Sequence, residues 1–388
     1  MVDPRAPQIS VPLYWSLPGP VNFLAELAQA LDTVSPFVVR LNSSEVAGIR
    51  QVVRDALHKS CHEPERIEFL EVHEGSHLES DIGHHFGRAT VSAAEFANWA
   101  MPPRTTIVLT PHSARARERC RYYFEELVKE IASSPKPQAR LVLLWSIADD
   151  PLPPTAPTEV RFDGALTEDE MHAYVTLRMV GRRGPGSTSL ARHLVNEFAG
   201  GDTLLAEELM ALSPGELLEL PSCLAKLTPA VSRLRRDADV LHDWQLAGSL
   251  TEAATKARGR LASRYWRACV RSLLPWLEER RRPVIDLLRF DLEDYLYPTK
   301  GVWKKANPWR QGETRDIAID DLEFNDIVAM TFNRDDPFAP SEPRSRQLIE
   351  GCKRAKAVRD ELAHLRPPDA RDIRDLVRTF DDVLVQTR

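Results

Sequence analysis

Arg346-Gln-Leu-Ile-Glu-Gly-Cys-Lys-Arg-Ala-Lys-Ala-Val-Arg-Asp-Glu-Leu-Ala-His-Leu-Arg366 is followed at once by Pro367-Pro368, and its apolar residues recur at helical spacing. Leu348, Cys352, Ala355 and Leu362 fall on one face at spacings of three, four and seven. The stretch is therefore expected to be one helix, stopped by the prolines. At about 100° per residue, Arg359 is expected in the middle of that apolar stripe. A charge there is costly unless it is paired or faces a wet cleft. Asp360 and His364 are four apart and so are neighbours on the helix surface. His364 lies in the last turn, where the helix dipole favours its protonated form. Arg359 and His364 are five apart, roughly 140° around the helix, so a long arginine, a kinked end or a second protomer is needed to bring both to one phosphate.

Outward from this helix the chain reads as helical in both directions. A second helix is expected at 370–386 and a short acidic-apolar one at Leu322-Glu-Phe-Asn-Asp-Ile-Val-Ala-Met330. The segment 297–316, with Pro298, Gly301, Pro308 and Gly312, reads as irregular. Upstream, 229–296 reads as a long helical run, preceded by helices at 167–180, 187–199, 203–212 and 214–226. Thr167-Glu-Asp-Glu170 opens the first of these with threonine as N-cap and glutamate three residues on.

Before Leu166 the pattern changes. Val11–Leu17, Pro36–Leu41, Ile67–Val72, Thr105–Thr110 and Arg140–Trp145 read as strands, separated by helical segments at 20–32, 44–59, 92–100 and 114–134. Such alternation predicts an α/β domain with a mostly parallel sheet covered on both faces. Pro151-Leu-Pro-Pro-Thr-Ala-Pro157 reads as a connector. The expected organisation is an α/β domain over 1–158, a small all-α domain over 159–235 and an all-α domain over 236–388.

The strand–loop–helix order at 11–32 is where a P-loop enzyme holds its phosphates. That task needs glycines, a lysine and a hydroxyl for magnesium. Leu17-Pro-Gly-Pro-Val-Asn-Phe23 has one glycine, two prolines and no lysine, and the strand ending at Leu109-Thr110 lacks an acidic residue. Nucleotide hydrolysis is not expected. Gly181-Arg-Arg-Gly-Pro-Gly-Ser-Thr188 has phosphate-loop spacing with serine for lysine, but it follows a helix and reads as an exposed basic turn. His58, His62, His73, His77, His84 and His85 are six of eleven histidines, with Cys61 beside them. His58 and His62 are spaced to share a zinc ion on a helix. No CxxC or HExxH partner accompanies them, so a solvated or hydrogen-bonded role is expected, with no metal and no cofactor.

Net charge is −6, so bulk positive charge does not hold a nucleic acid, and any RNA site must be local. Five scattered cysteines suit a reducing compartment. The N-terminus lacks the pattern of a secretory signal, and no apolar run is long enough for a membrane span. A cytoplasmic protein is expected.

Two resemblances follow. The α/β core, with the junction Val160-Arg-Phe-Asp-Gly-Ala-Leu-Thr-Glu-Asp-Glu-Met171 into a helical region, resembles the AAA/STAND group of P-loop NTPases over about 11–226, in a degenerate form without its phosphate-binding residues. Arg359-Asp-Glu-Leu-Ala-His364 matches the Arg-polar-x-x-x-His signature of the HEPN superfamily. Tyr265–Leu277 looks like the first long helix of such domains, and Leu322–Met330 like the short helix before the signature helix. That resemblance implies a homodimer with two Arg/His pairs in one cleft and metal-independent RNA cleavage. His364 would be general acid or base, Arg359 would hold the phosphate, and Asp360 would orient either of them. Lys353, Arg354, Lys356 and Arg366 would supply the positive field for RNA. The setting it implies is prokaryotic antiphage defence or toxin–antitoxin function, regulated by the N-terminal module. The alternative is a non-catalytic HEPN adaptor that dimerises and docks a partner enzyme through the N-terminal domain.

Overall fold

The computed structural model describes residues 11–32, 36–41, 48–60, 66–98, 105–133, 140–146, 156, 158–162, 164–180, 187–219, 258–306 and 313–385. They form two compact units. One holds the described residues up to Tyr174 with Gly201–Glu207; the other holds Val175–Gly200, 208–219 and 258–385.

The first unit is built on five parallel strands: β1 (Phe37–Leu41), β2 (Arg66–Val72), β3 (Thr105–Pro111), β4 (Arg140–Ser146) and β5 (Thr158–Phe162), in the order β2-β3-β4-β1-β5. The central strands are continuous apolar runs because helices cover both faces. Val38, Ile107, Leu109, Leu141, Leu143 and Trp145 share one buried cluster with Phe96, Cys120, Phe124 and Leu127. These last four come from helices α5 (Ala93–Ala97) and α6 (Ala114–Ser133). Edge strand β5 buries only alternate residues, Val160 and Phe162, and its Glu159 pairs with Arg40 of β1 at 2.7 Å.

The expected strand at 11–17 is absent. Val11–Tyr14 is a short helix, α1, and Pro18–Asp32 is α2. Tyr14, Trp15 and Phe23 pack on Phe162, so the apolar run serves a helical aromatic cluster instead of a ladder. Pro18 and Pro20 sit in the first turn of α2, where a missing N–H costs nothing. The stretch weighed as a phosphate loop is thus a helix start, and its Gly19 N–H donates to the Glu170 carboxylate. The first strand is β1, followed by α3 (Ile49–Ser60); residues 42–47 between them lie outside the described residues. The strand ending at Thr110 is therefore third, not fourth, and the junction expected at Val160 begins within an edge strand, β5. The expected Thr167–Glu170 cap is formed: the Thr167 N–H donates to Glu170 Oε2 at 2.8 Å. It opens α7 (Glu168–Arg178).

The second unit is helical. It includes α8 (Ser187–Ala199), the end of α9 (Thr203–Ala211), α10 (Pro214–Leu218), α11 (Arg258–Tyr295), α12 (Phe324–Thr331), α13 (Pro343–Ala363) and α14 (Ala370–Val385). The expectations at 181–186, at 220–226 and at 229–257 fall outside the described residues. Helix α8 packs along α11, where Arg267 and Arg271 both pair with the buried carboxylate of Glu197, at 2.8 and 3.0 Å. Phe380 of α14 is fully buried, with Trp276 of α11 and Phe324 of α12 at 5.9 and 5.7 Å.

The segment read as irregular contains a hairpin: β6 (Val302–Ala306) pairs antiparallel with β7 (Thr314–Ala318). Its strands are mostly polar and bury only Ile317, so no alternation marks them in the sequence. Among the described residues no helix is long and apolar enough to cross a membrane.

Candidate functional site

Helix α13 begins at Pro343, a residue pre-set for a first turn, and buries Leu348, Ile349, Gly351, Cys352, Ala355, Val358 and Leu362. Val358, not Arg359, continues the buried stripe. Arg359 lies at its edge with its side chain 46% exposed, so the expected charge inside the apolar face is not there.

The helix stops earlier than its prolines require. His364 is the C-cap and Leu365 is left-handed at φ 58°. The Arg366 N–H donates to the Glu361 carbonyl at 2.9 Å and the Leu365 N–H to the Leu362 carbonyl at 3.2 Å, the two bonds of a Schellman end. The Trp266 indole N–H of α11 also donates to the Leu362 carbonyl, at 2.8 Å. The carbonyls that would fray at this end are therefore satisfied by a neighbouring helix and by the turn itself.

Arg359 Nη1 donates to Glu323 Oε2 at 2.8 Å, and both side chains are 46% exposed. Glu323 is the N-cap of α12. The hydrogen bond from Arg359 holds its carboxyl below the ordinary glutamate range, with Lys305 and Arg281 adding to the effect and burial opposing it. Lys305 of β6 pairs at 2.6 Å with Asp326, whose side chain is almost fully buried. Arg281 of α11 donates to the carbonyls of Asp320 and Leu322 at 3.0 and 3.2 Å.

His364 is exposed, and among the described residues its ring makes no hydrogen bond or ion pair. Its backbone N–H donates to the Asp360 carbonyl at 3.0 Å. The Asp360 carboxylate pairs with Lys356 at 2.6 Å, so it orients neither His364 nor Arg359 here. The other basic residues expected to meet RNA are also engaged: Lys353 with Glu350 at 2.7 Å, Arg354 with Asp375 at 3.1 Å and Arg366 with Glu361 at 3.0 Å.

Sequence reasoning missed Lys305, Arg281 and Trp266. Glu323 and Asp326 both lie in the short acidic-apolar segment ahead of α13, and only packing makes the first exposed and the second buried. Lys305 lies in the segment expected to be irregular.

The histidine group does not assemble into one site. His58 is exposed in the last turn of α3, and His62 lies outside the described residues. His85 approaches Glu68 at 3.8 Å, and His77 is the N-cap of α4 (Leu78–His85). His73 stacks on His112, with ring centroids 5.1 Å apart. At the carboxyl ends of β2 and β3, His112 and Arg50 both meet the Glu71 carboxylate. Burial and then Arg50 hold His112 below its ordinary value. Among the described residues no group of three or more His, Cys, Asp or Glu side chains is arranged to hold a metal ion.

No protein-family model matches this chain, and no curated protein matches it.

Proposed function

We propose that the helical C-terminal unit is a metal-independent endoribonuclease of HEPN type, with His364 as general acid or base and Arg359 as the phosphate-binding group. The observation that carries this reading is the exposure of the Arg359–Glu323 pair at the capped end of α13, next to an exposed His364. An ion pair between half-exposed side chains contributes only about 0–1 kcal/mol, so a phosphate can replace the carboxylate on Arg359 at little cost. A buried partner would have locked the arginine into the core instead. Arg359 would then neutralise charge that builds on the phosphorus oxygens, while a guanidinium fork suits that geometry. His364, whose ordinary pKa lies near neutrality, would take the 2′-hydroxyl proton or give one to the leaving oxygen. The residues sit on one helix, and the roughly 140° between them is accommodated if a second copy supplies the complementary pair. A homodimer is part of the proposal, as is a regulatory role for the α/β unit in a prokaryotic defence or toxin setting.

A second reading has its own observation. Lys353, Arg354, Lys356 and Arg366 each already hold a carboxylate, so the helix surface is charge-balanced and offers RNA little field. This favours a non-catalytic HEPN adaptor that dimerises and docks a partner enzyme.

One experiment separates them. Purified parent and His364→Ala protein are incubated with total RNA in EDTA and the fragment ends are read. Cleavage by the parent alone, leaving 2′,3′-cyclic phosphates, supports the nuclease. Identical fragments from both proteins, or none from either, turns the assignment to the adaptor.

A further inference from the structure

We infer that Glu323 occupies the place of a phosphate, and that its displacement uncovers a three-cation site for a single-stranded RNA phosphodiester made by Arg359, Lys305 and Arg281. The inference rests on the RNA-binding reading above and adds to it the residues that receive the backbone and the group that competes for them.

The three cations come from three separate elements. Arg359 belongs to α13, Lys305 to the hairpin and Arg281 to α11, and Glu323 caps the helix between them. Two of the three are fixed independently of Glu323. Arg281 is held by the backbone carbonyls of Asp320 and Leu322 and by Glu278 at 2.8 Å. Lys305 is held by Asp326 Oδ1, while Asp326 Oδ2 accepts the Glu323 backbone N–H at 3.0 Å. That buried carboxylate therefore ties Lys305 to the backbone of the residue in question.

The neighbouring carboxylates have cations of their own. Asp320 is taken by Arg289 at 2.5 Å, Asp326 by Lys305 and Glu278 by Arg281. Asp321 also faces Arg281 through its charge. Glu323 alone holds Arg359 among the described residues, and its side chain is half-exposed and able to swing into water. When it does, Lys305 and Arg281 remain anchored by their other partners and Arg359 is left with a free guanidinium beside them. A phosphodiester oxygen offers them the same acceptor chemistry as the carboxylate, with its own charge retained.

The test measures binding, not cleavage, using a single-stranded RNA with 2′-O-methyl riboses, which removes the nucleophile. Affinity is followed by fluorescence anisotropy over a salt series for the parent, Glu323→Gln and Glu323→Gln/Arg359→Gln. Glu323→Gln keeps the side chain's size and removes its charge. It is expected to bind at least about fivefold tighter, with a log–log salt dependence steeper by about 0.7, the increment of one further phosphate contact on a single strand. The double variant is expected to fall back to the parent or below. Equal or weaker binding by Glu323→Gln, or tight binding that survives loss of Arg359, overturns the inference. Should the glutamine disturb the α12 cap, Glu323→Asp keeps a capping carboxylate but shortens its reach, and it must tighten binding in the same direction. The outcomes separate from those of the nuclease reading. Tighter binding without any cleavage would retire the nuclease and leave this site standing. Cleavage that depends on His364, without an effect of Glu323, would do the reverse.

Discussion

Replacing Gly351 with alanine sets two physical effects of opposite sign against each other. Glycine in a helix interior is disfavoured by about 1 kcal/mol relative to alanine, so by propensity alone Gly351→Ala stabilises. The tertiary structure reverses this. A Cβ at 351 would come within 2.9 Å of Phe380 Cδ1 and 3.3 Å of Cζ, and closer still to Cε1. Ordinary carbon contacts sit at about 3.5–4.0 Å, so the ring or the helices must give way. The ring has little room: Phe380 is fully buried, with Trp276 at 5.9 Å and Phe324 at 5.7 Å. Overpacking a core of this kind costs about 1–3 kcal/mol or more. The expected net effect is destabilisation of about 1–2 kcal/mol, confined to the helical unit. Hydrogen exchange read on α13 and α14 is the suitable assay, because the two compact units need not unfold together. Phe380→Leu in the same background should offset part of the loss, so that the double variant costs less than the two single changes added. A Gly351→Ala protein as well protected as the parent would refute the reasoning.

Other consequences follow from the same end of the molecule. Leu365 holds a left-handed conformation at φ 58° and is 71% exposed, so Leu365→Gly should stabilise by about 0.5–1 kcal/mol, measured by thermal melting. A lower melting temperature would count against the Schellman end. The pairing of Glu323 with Arg359 lowers the carboxyl's pKa from about 4.5, so in the window below that value the unfolded chain binds more protons. The pair's small contribution is therefore present above about pH 4.5 and lost as pH falls through the lowered value. The stability difference between parent and Glu323→Gln should shrink on acidification, and a difference constant down to about pH 3 contradicts the pairing. Burial pushes the thiols of Cys120 and Cys269 up to about 12 and raises that of Cys352. In a Cys61→Ser/Cys223→Ser background, thiol reagents should label the native protein far more slowly than the denatured chain. Equal rates would mean that these helices are not packed as described.

Local rules, read along the chain, located most elements. The central strands are largely continuous apolar runs, and four of the five expected ones stand where the sequence places them. Helix α8 matches its expected span, because cap chemistry and 3.6-residue spacing act between near neighbours. Two failures have one cause. Val11–Leu17 had the composition of a strand, yet Phe162 offers Trp15 and Phe23 an aromatic surface, and the run packs there as a short helix and turn. Conversely, Val302–Ala306 and Thr314–Ala318 are too polar to announce a hairpin, and only pairing with each other makes them strands. β-structure depends on partners that a linear reading does not contain.

The same division holds at the candidate site. The sequence by itself determined that Arg359, Asp360 and His364 lie on one helix near its C-terminal end, since helical periodicity and the following prolines need no tertiary information. It also determined that nothing in 17–23 grips phosphate, because the segment has no lysine, a single glycine and two prolines that remove N–H donors. Tertiary structure alone decided that Arg359 stands at the edge of the buried face, that its partner is an exposed Glu323, and that Lys305 and Arg281 approach from elements distant in the chain. Residue type sets what a side chain can do. Whether it is buried, and against which charge, is settled only when separated segments meet, since burial and Coulombic pairing depend on distance in space.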